Sequence, residues 1–280
     1  MAASQKDKAD AFRALHARAG AFVIPNPWDA GSARILTSLG FEALATTSAG
    51  YAFSIGRKDQ AEAVSRDETL ANARDIVAAT DLPCSADLEA GFGPTPRDVA
   101  ETIRRAAGVG LVGGSIEDAT YDASRPIYDL SQAVERVAAA VEAARALPFP
   151  FTFTARAENF LFGRRDLDDT IRRLQAFDKA GADVLYAPGL NDLDMIRTVC
   201  KSVSKPVNVV MGLKGRSFSV AELADAGMRR ISVGSALCRA AYGALFRAAR
   251  EMKEKGTFTW ANDAVPFAEI DALMPPPARR

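Results

Sequence analysis

The chain has 280 residues, and its 35 basic and 35 acidic side chains give a formal net charge of zero. This balance argues against a polybasic protein that binds nucleic acid or a membrane surface, and no apolar run reaches the ~18 residues that span a bilayer. The three cysteines are too widely spaced for a zinc cluster or a disulfide framework, and the charged N-terminus lacks the apolar core of a secretory signal. We therefore expect a cytoplasmic protein that binds a small molecule, and neither nucleic acid nor a membrane.

The single histidine, His16, narrows the possible chemistry further. One histidine cannot build a multi-histidine zinc site, and no nucleophile-elbow motif accompanies it. His16 lies in a predicted helix, where we expect it to be exposed or half packed. Acid–base chemistry must then come from other side chains or from metal-bound water.

Short runs rich in Val, Ile, Phe and Leu alternate along the chain with longer amphipathic stretches. The short runs predict strands at residues 21–25, 43–47, 82–87, 111–117, 150–155, 184–187, 207–211 and 230–233. The longer stretches predict helices at residues 30–39, 66–79, 97–107, 131–146, 167–180, 193–203, 220–226 and 235–255. This alternation fits a single (β/α)8 TIM barrel better than an open doubly wound sheet. We expect residues 1–280 to form one barrel domain, with 256–280 as a C-terminal helical extension.

Polar side chains gather where the predicted strands end, which is where barrel enzymes place their chemistry. These residues are Ser48, Ala49, Gly50, Asp59, Asp87, Glu89, Glu117, Asp118, Arg156, Glu158 and Asn208. An oxygen-rich set without histidine suits a hard cation such as Mg²⁺ or Mn²⁺. The arginine suits a carboxylate or phosphate group on a ligand, and the small residues 48–50 would let backbone N–H groups approach an anionic oxygen.

Two of these carboxylates, Asp87 and Glu89, stand two residues apart at the end of the third predicted strand. They point the same way if the strand runs through Glu89, because strand side chains alternate between faces. Two acids on one interior face repel each other unless a cation or protons compensate. The pair is therefore either a solvated strand end or half of a cation site, and the acids at the other strand ends favour the cation site.

Six segments of the chain, in order, resemble the isocitrate lyase and phosphoenolpyruvate mutase superfamily. They read PNPWDAGSARILTSLGFEALATTSAG, ADLEAGFG, GGSIED, TARAENF, GADVLYAPG and KPVNVV. The resemblance implies a (β/α)8 barrel whose eighth helix is exchanged between the subunits of a dimer or tetramer. It also implies a homo-oligomer that binds Mg²⁺ and acts on 2-oxo acids or their enolates.

The resemblance assigns roles to the candidate residues by their positions. It places four acids at the metal, namely Asp59, Asp87, Glu89 and Glu117, of which Glu89 is one methylene longer than the family's aspartate. It places the other candidates at the substrate: Arg156 on the carboxylate, Ser48, Ala49 and Gly50 around the 2-oxo group, and Asn208 on the far side. Glu158 is either a substrate-side base or a pairing partner of Arg156.

The chain departs from this superfamily in the loop after Glu117. Its lyases carry a mobile loop with a Lys-Lys-Cys-Gly-His type motif there, whereas this chain reads EDATYDASRPIYDLSQAVERV, without Cys, His or Lys. The lysine-containing loop of the mutases and phosphonopyruvate hydrolases is also absent. An enolate would then be protonated by water or by Tyr121. The alternative for Tyr121 is that it is a solvated loop residue without a catalytic role.

The resemblance thus implies a Mg²⁺-dependent carbon–carbon lyase or decarboxylase that acts on a small 2-oxo or 2-hydroxy di- or tricarboxylic acid. Its catalytic residues would be Arg156, Glu117 and Tyr121, and a pyruvate-like enolate would be the shared intermediate. Two alternatives stay open: phosphonopyruvate mutase or hydrolase chemistry on a C–P bond, and a degenerate barrel that binds a 2-oxo acid without turnover.

Overall fold

The computed structural model describes residues 3–60, 63–213, 215 and 217–274. Its strands are β1 Phe22–Ile24, β2 Leu44–Ala45, β3 Cys84–Asp87, β4 Gly113–Glu117, β5 Thr152–Arg156, β6 Val184–Tyr186, β7 Val207–Val210 and β8 Arg230–Ser232. They pair in parallel in the order β1-β8-β7-β6-β5-β4-β3-β2. Beside the two edge strands, the Ala45 N–H donates to the Pro25 carbonyl at 3.1 Å, so the sheet curls into a nearly closed barrel.

Helices alternate with the strands around the outside of the sheet. They are α1 Gln5–Ala17, α2 Ala30–Ser38, α3 Ser48–Ser54, α4 Arg66–Ala78, α5 Pro96–Gly108, α6 Leu130–Arg145, α7 Leu167–Lys179, α8 Leu193–Ser202, α9 Val220–Asp225, α10 Ala236–Lys255 and α11 Phe267–Ala272. The predicted (β/α)8 barrel is confirmed, and each predicted strand and helix is present with its ends shifted by a few residues. None of the helices in the described ranges is long and apolar enough to cross a membrane.

Local sequence signals explain where several helices begin. Ser65 and Glu68 form a reciprocal capping box at the start of α4, and Thr95 and Asp98 form another at the start of α5. Each box satisfies two backbone N–H groups that the first helical turn leaves without a partner. These helices therefore start within one residue of their predicted positions.

The core lies inside the barrel and between the sheet and its helices. Large aromatic side chains fill it, including the fully buried Phe151 and Phe153 of the β5 region and Phe177 of α7. All residues of β6, β7 and β8 are buried, as expected for strands of a parallel sheet that is covered on both faces.

Residues 48–50, which follow the second predicted strand and for which no helix is predicted, form the first turn of α3. Thr47 caps this helix, because its hydroxyl Oγ1 accepts a hydrogen bond from the Gly50 N–H at 3.2 Å. A helix of seven residues that contains Gly and Ser has only a weak helical sequence pattern. The capping residue Thr47 was therefore the one feature of the sequence that could have predicted α3.

The expectation that His16 is exposed or half packed is wrong, since only 8% of its surface is exposed. Its ring packs edge-on against Phe12 and Phe22, with ring centroids 4.7 and 5.0 Å away, and its Nδ1 lies 2.8 Å from the Phe12 carbonyl oxygen. Burial, and then the charge of Arg230, lower the pKa of His16 to about 3. His16 is therefore a neutral core residue on α1.

The segment after α10 contains a short 3₁₀ helix, Thr259–Asp263, followed by α11. Helical structure is thus present in the described part of the predicted C-terminal extension. The prolines at 275–277, where we expect this helical segment to end, lie outside the described residues.

Candidate active site

A single guanidinium, that of Arg156, contacts three carboxylates at the carboxyl end of the barrel. Its Nη1 lies 3.0 Å from Asp87 Oδ1, its Nη2 lies 3.0 Å from Glu117 Oε2, and its Nε donates to Glu158 Oε1 at 2.8 Å. The guanidinium also lies 5.0 Å from the centre of the Tyr186 ring. The Arg156 side chain is only 12% exposed, so little water screens these contacts.

The parallel sheet explains why these groups meet. Arg156 and Glu117 end the neighbouring strands β5 and β4 and are register partners, and Asp87 ends β3 opposite Ser115. The carboxyl ends of parallel strands open onto one face of a barrel, so side chains from distant segments converge there. Of the alternatives for Glu158, the pairing with Arg156 is present, and the Glu158 side chain is 1% exposed.

Ser48 holds the second oxygen of Asp87 from the start of α3. The Ser48 hydroxyl donates to Asp87 Oδ2 at 2.8 Å, and its backbone N–H points at the same oxygen from 3.3 Å. The Asp87 backbone N–H donates in turn to the Thr46 hydroxyl at 3.1 Å. Asp87 is therefore fixed between the second and fifth strand ends.

Gly50 has a packing role in this structure. Its N–H is already bonded to Thr47, and a Cβ placed on it would come 2.6 Å from Thr47 Cγ2 and 3.2 Å from Trp28 Cβ. Those approaches are shorter than van der Waals contact, so only glycine fits without movement. Its neighbour Ala49 lies in the same first turn of α3, between Ser48 and Gly50.

Strand β3 ends at Asp87, so Glu89 does not share its face through strand alternation. Glu89 adopts a left-handed backbone with φ 48°, which only a minority of non-glycine residues do. Among the described residues, no hydrogen bond or ion pair reaches its carboxylate. Burial, followed by the negative charges of Asp87 and Glu117, raises the pKa of Glu89 to about 8.

Tyr121 lies above these acids, in the loop after β4. Its hydroxyl donates to Glu117 Oε1 at 2.8 Å, and its backbone is also left-handed, with φ 60°. Burial of the hydroxyl and the nearby charge of Glu117 raise the pKa of Tyr121, so it stays protonated at neutral pH. Burial likewise raises the pKa of Glu117, against the opposing charge of Arg156.

The remaining two predicted residues lie farther from Arg156. Desolvation and the charge of Asp87 raise the pKa of Asp59, which indicates that its carboxyl lies within electrostatic range of the site. Asn208 is fully enclosed in the barrel, where its Nδ2 donates to Ser232 Oγ at 3.0 Å and its Oδ1 accepts from Arg230 Nε at 2.9 Å.

Two further residues, Asn26 and Arg230, support the site although their sequence patterns did not mark them as site residues. Asn26, after β1, bridges three segments, because its amide donates to the Thr46 carbonyl at 3.0 Å and accepts from the Val233 and Gly234 N–H groups. The only sequence signal for it is its place in the PNPWD segment. Arg230 also escaped notice, although an arginine that starts a buried apolar strand is a signal in itself.

Two cavities open next to these residues. A small one of about 60 Å³ lies inside the barrel and is bordered by Asp87, Arg156 and Arg230. A larger one of about 940 Å³ lies between the loops after β3 and β4 and is bordered by Glu89 and Tyr121. The acids at the strand ends therefore lie between the small inner cavity and the large outer cavity.

The donor chemistry at the strand ends fits a divalent cation. Every candidate ligand is an oxygen, as a hard divalent cation prefers. Burial, followed by the charges of Asp87 and Glu117, raises the pKa of Glu89, and a bound cation would offset both effects. The acids are nevertheless arranged around Arg156: within the described ranges, no three His, Cys, Asp or Glu side chains are grouped closely enough to hold a metal ion. A cation would thus have to draw Asp87 and Glu117 partly away from Arg156.

Comparisons with known proteins agree with this arrangement. The profile of the phosphoenolpyruvate phosphomutase family matches residues 12–253. A solved structure from Burkholderia cenocepacia J2315, provisionally named a lyase/mutase, is 62% identical, with a TM-score of 0.95 over 98% of this chain and 97% of the other.

Two relatives with named reactions are also similar. The structure of a 2,3-dimethylmalate lyase, described as a member of the PEP mutase/isocitrate lyase superfamily, is 28% identical, with a TM-score of 0.85 over 95% of this chain and 94% of the other. The 2-methylisocitrate lyase of Halalkalibacterium halodurans is 28% identical over 258 residues, which cover 91% of this chain and 85% of that enzyme.

Proposed function

Since the chain belongs to the phosphoenolpyruvate phosphomutase family of lyases and mutases, we propose that it is a Mg²⁺- or Mn²⁺-dependent carbon–carbon lyase. Its substrate would be a small 2-oxo or 2-hydroxy di- or tricarboxylic acid, cleaved or decarboxylated through a pyruvate-like enolate. The observation that carries this proposal is the convergence of Asp87, Glu117 and Arg156, from three neighbouring strand ends, on one site. The 2,3-dimethylmalate lyase and the 2-methylisocitrate lyase to which the chain is similar both act on polycarboxylic acids, which supports this substrate class.

The proposed cation would be held by Asp87, Glu89 and Glu117, with Asp59 nearby. When bound, it would stabilise the negative charge that develops on the 2-oxo oxygen as the carbon–carbon bond breaks. Ser48 would keep Asp87 oriented, because its hydroxyl fixes one carboxylate oxygen at 2.8 Å. Water is largely excluded from this part of the barrel, which strengthens each of these charge interactions.

Arg156 would bind the substrate carboxylate once its own acids turn toward the cation. Its guanidinium offers paired N–H donors that match a carboxylate in geometry. Glu158 would keep the guanidinium in place through the 2.8 Å contact at Nε, and the Asp118 carboxylate anchors Glu158 by accepting its backbone N–H at 2.8 Å. This arrangement leaves the two terminal nitrogens of Arg156 for the substrate.

Tyr121 would deliver a proton to the enolate carbon. Its hydroxyl is held over the site by Glu117, on the side that opens to the larger cavity. Burial and the charge of Glu117 raise the pKa of Tyr121, so the hydroxyl carries its proton at neutral pH. Replacement of Tyr121 by phenylalanine should then slow turnover without weakening substrate binding, whereas unchanged turnover would leave the proton to water.

The proposal is tested by measuring product release from oxaloacetate, 2-methylisocitrate and 2,3-dimethylmalate, each with Mg²⁺ or with EDTA. We expect release of a 2-oxo acid from at least one of them, lost with EDTA and in Asp87→Asn. The exposed acid Asp194, changed to Asn, is the matched control and should retain activity. Phosphate release from phosphonopyruvate would instead support C–P chemistry, and Mg²⁺-dependent binding without turnover would support a binding protein.

We also propose that the chain works as a homo-oligomer in the cytoplasm. Helix α10 buries only Cys238, and leaves Leu245 and Phe246 62% and 64% exposed. Apolar side chains grouped on an uncovered helix favour contact with a second copy. The free thiols of Cys84 and Cys238 suit a reducing compartment.

A further inference from the structure

Arg230 is a buried cation inside the barrel, and no acidic side chain in the described ranges pairs with it. Three arginines are at least 95% buried in the described structure, Arg136, Arg173 and Arg230. Arg173 forms ion pairs with Asp118 and Asp169. Within the described residues Arg136 and Arg230 form no ion pair. Arg136 donates to the backbone carbonyls of Ala90 and Gly93 and lies over the Tyr128 ring, whereas Arg230 contacts only neutral side chains within hydrogen-bond distance.

The hydrogen bonds of Arg230 leave part of its guanidinium unsatisfied. Its Nε donates to Asn208 Oδ1 at 2.9 Å and its Nη2 donates to Thr154 Oγ1 at 3.1 Å, whereas its Nη1 is buried without a partner. An unpaired buried charge costs several kcal/mol in a folded protein unless something compensates it. An unpaired arginine beside a cavity therefore destabilises the fold unless an anion binds there.

The surroundings of Arg230 leave its charge largely uncompensated. Asp87, the acid that borders the adjoining cavity, is already paired with Arg156. The neighbouring His16 is neutral, because its pKa lies at about 3, and the charge of Arg156 repels that of Arg230. Arg156 itself is saturated by three carboxylates. Of the two arginines that border the inner cavity, Arg230 is therefore the one whose charge is available without any movement of the carboxylates around Arg156.

The cavity next to Arg230 has the size and lining of a small-anion site. Its volume of about 60 Å³ admits a carboxylate group or a single halide ion. Ser85 and Ser115 add hydroxyl groups to its wall, and it is continuous with Asp87 and Arg156 at the upper end. A group bound there would lie directly beneath the proposed reaction centre.

We infer that Arg230 and this cavity form a subsite for one small anion of the carboxylate or halide type. The occupant is either a carboxylate group of the substrate or a free anion such as formate. The first source rests on the proposed function, whereas the second does not. In both cases the anion offsets the Arg230 charge and stabilises the barrel interior.

The test is a series of thermal unfolding curves of the full chain in EDTA, with sodium formate exchanged for sodium gluconate at constant ionic strength. Gluconate is too large for the cavity, so only formate should raise Tm, and the rise should saturate. In Arg230→Gln the apparent affinity for formate should fall about tenfold or more, as expected for the loss of a charged hydrogen bond. The exposed Arg74, changed to Gln, should behave like the wild type.

A formate effect that is absent, or equal in all three proteins, would overturn the inference. Because Arg230→Gln could fail to fold, wild-type crystals soaked in bromide provide a second test: anomalous density beside Arg230 supports the subsite, and its absence there contradicts it. With Mg²⁺ added, pyruvate and formate are tested together. If pyruvate weakens the effect of formate on Tm, the occupant is a carboxylate group of the substrate; if the two effects on Tm add, the occupant is a free anion. The EDTA series does not depend on turnover, so it stands even if the lyase proposal fails.

Discussion

Replacement of Arg156 by glutamine should destabilise the protein in a pH-dependent way. The change removes the cation that three carboxylates share at 2.8–3.0 Å, and it leaves Asp87, Glu117 and Glu158 facing one another in a site with little water. Removal of one partner from a buried ion pair typically costs about 3–5 kcal/mol. We therefore expect a loss of about this size in the free energy of unfolding at pH 8 in EDTA.

The loss should shrink as the pH falls. Burial raises the pKa of Glu117 and of Glu158, so both take up protons in the native state before they would in the unfolded chain. At pH 5.5 the repulsion in Arg156→Gln should be largely relieved, and the loss should be roughly half of that at pH 8 or less. Urea unfolding at both pH values measures the effect.

The matched control for this experiment is Arg197→Gln. Arg197 pairs with Asp194 at 2.7 Å on the surface, where its loss should cost less than about 1 kcal/mol at either pH. If Arg156→Gln costs no more than this control, or costs the same at both pH values, the three-carboxylate arrangement around Arg156 is refuted.

Three further predictions concern the acid pair, the packing of α3 and the surface of α10. Because Glu89 has a pKa of about 8 in the native state and a lower one when unfolded, the native state binds the extra proton; stability in EDTA should fall from pH 5 to pH 8, and Glu89→Gln should flatten that slope. Gly50→Ala should lower Tm, because overpacking should cost about 1–3 kcal/mol of the free energy of unfolding. Gly108→Ala should not lower Tm, because no neighbouring atom lies within 4 Å of the added Cβ. Phe246→Asp should reduce the mass measured by light scattering toward that of a monomer, and an unchanged mass would place the subunit contact elsewhere.

Sequence patterns were sufficient for the barrel and for the positions of the strand ends. Parallel strands that are buried on both faces give continuous apolar runs, and their ends are marked by polar residues such as Asp87 and Glu117. Since the fold fixes which face these ends share, the grouping of the strand-end residues at one end of the barrel follows from the order of the strands. The short helix α3 was missed because a single capping residue, Thr47, defines its start.

The internal contacts of the site could not be read from the sequence. Whether Arg156 faces a substrate or three acids depends on side-chain directions and charge balance in three dimensions, which spacing does not encode. The same holds for His16 and Arg230: both belong to segments with ordinary helix or strand patterns, and only packing shows that they are buried. The left-handed backbone of Glu89 and Tyr121 likewise departs from what their residue types favour.

The most direct test of the central claim is proton exchange on pyruvate in D₂O, followed by NMR. An enzyme that stabilises a pyruvate-like enolate should exchange the methyl protons for deuterium whatever its full substrate is. We predict exchange with Mg²⁺ that is faster than in buffer containing Mg²⁺ alone, and that EDTA or Asp87→Asn abolishes. Exchange no faster than in that buffer would contradict the account.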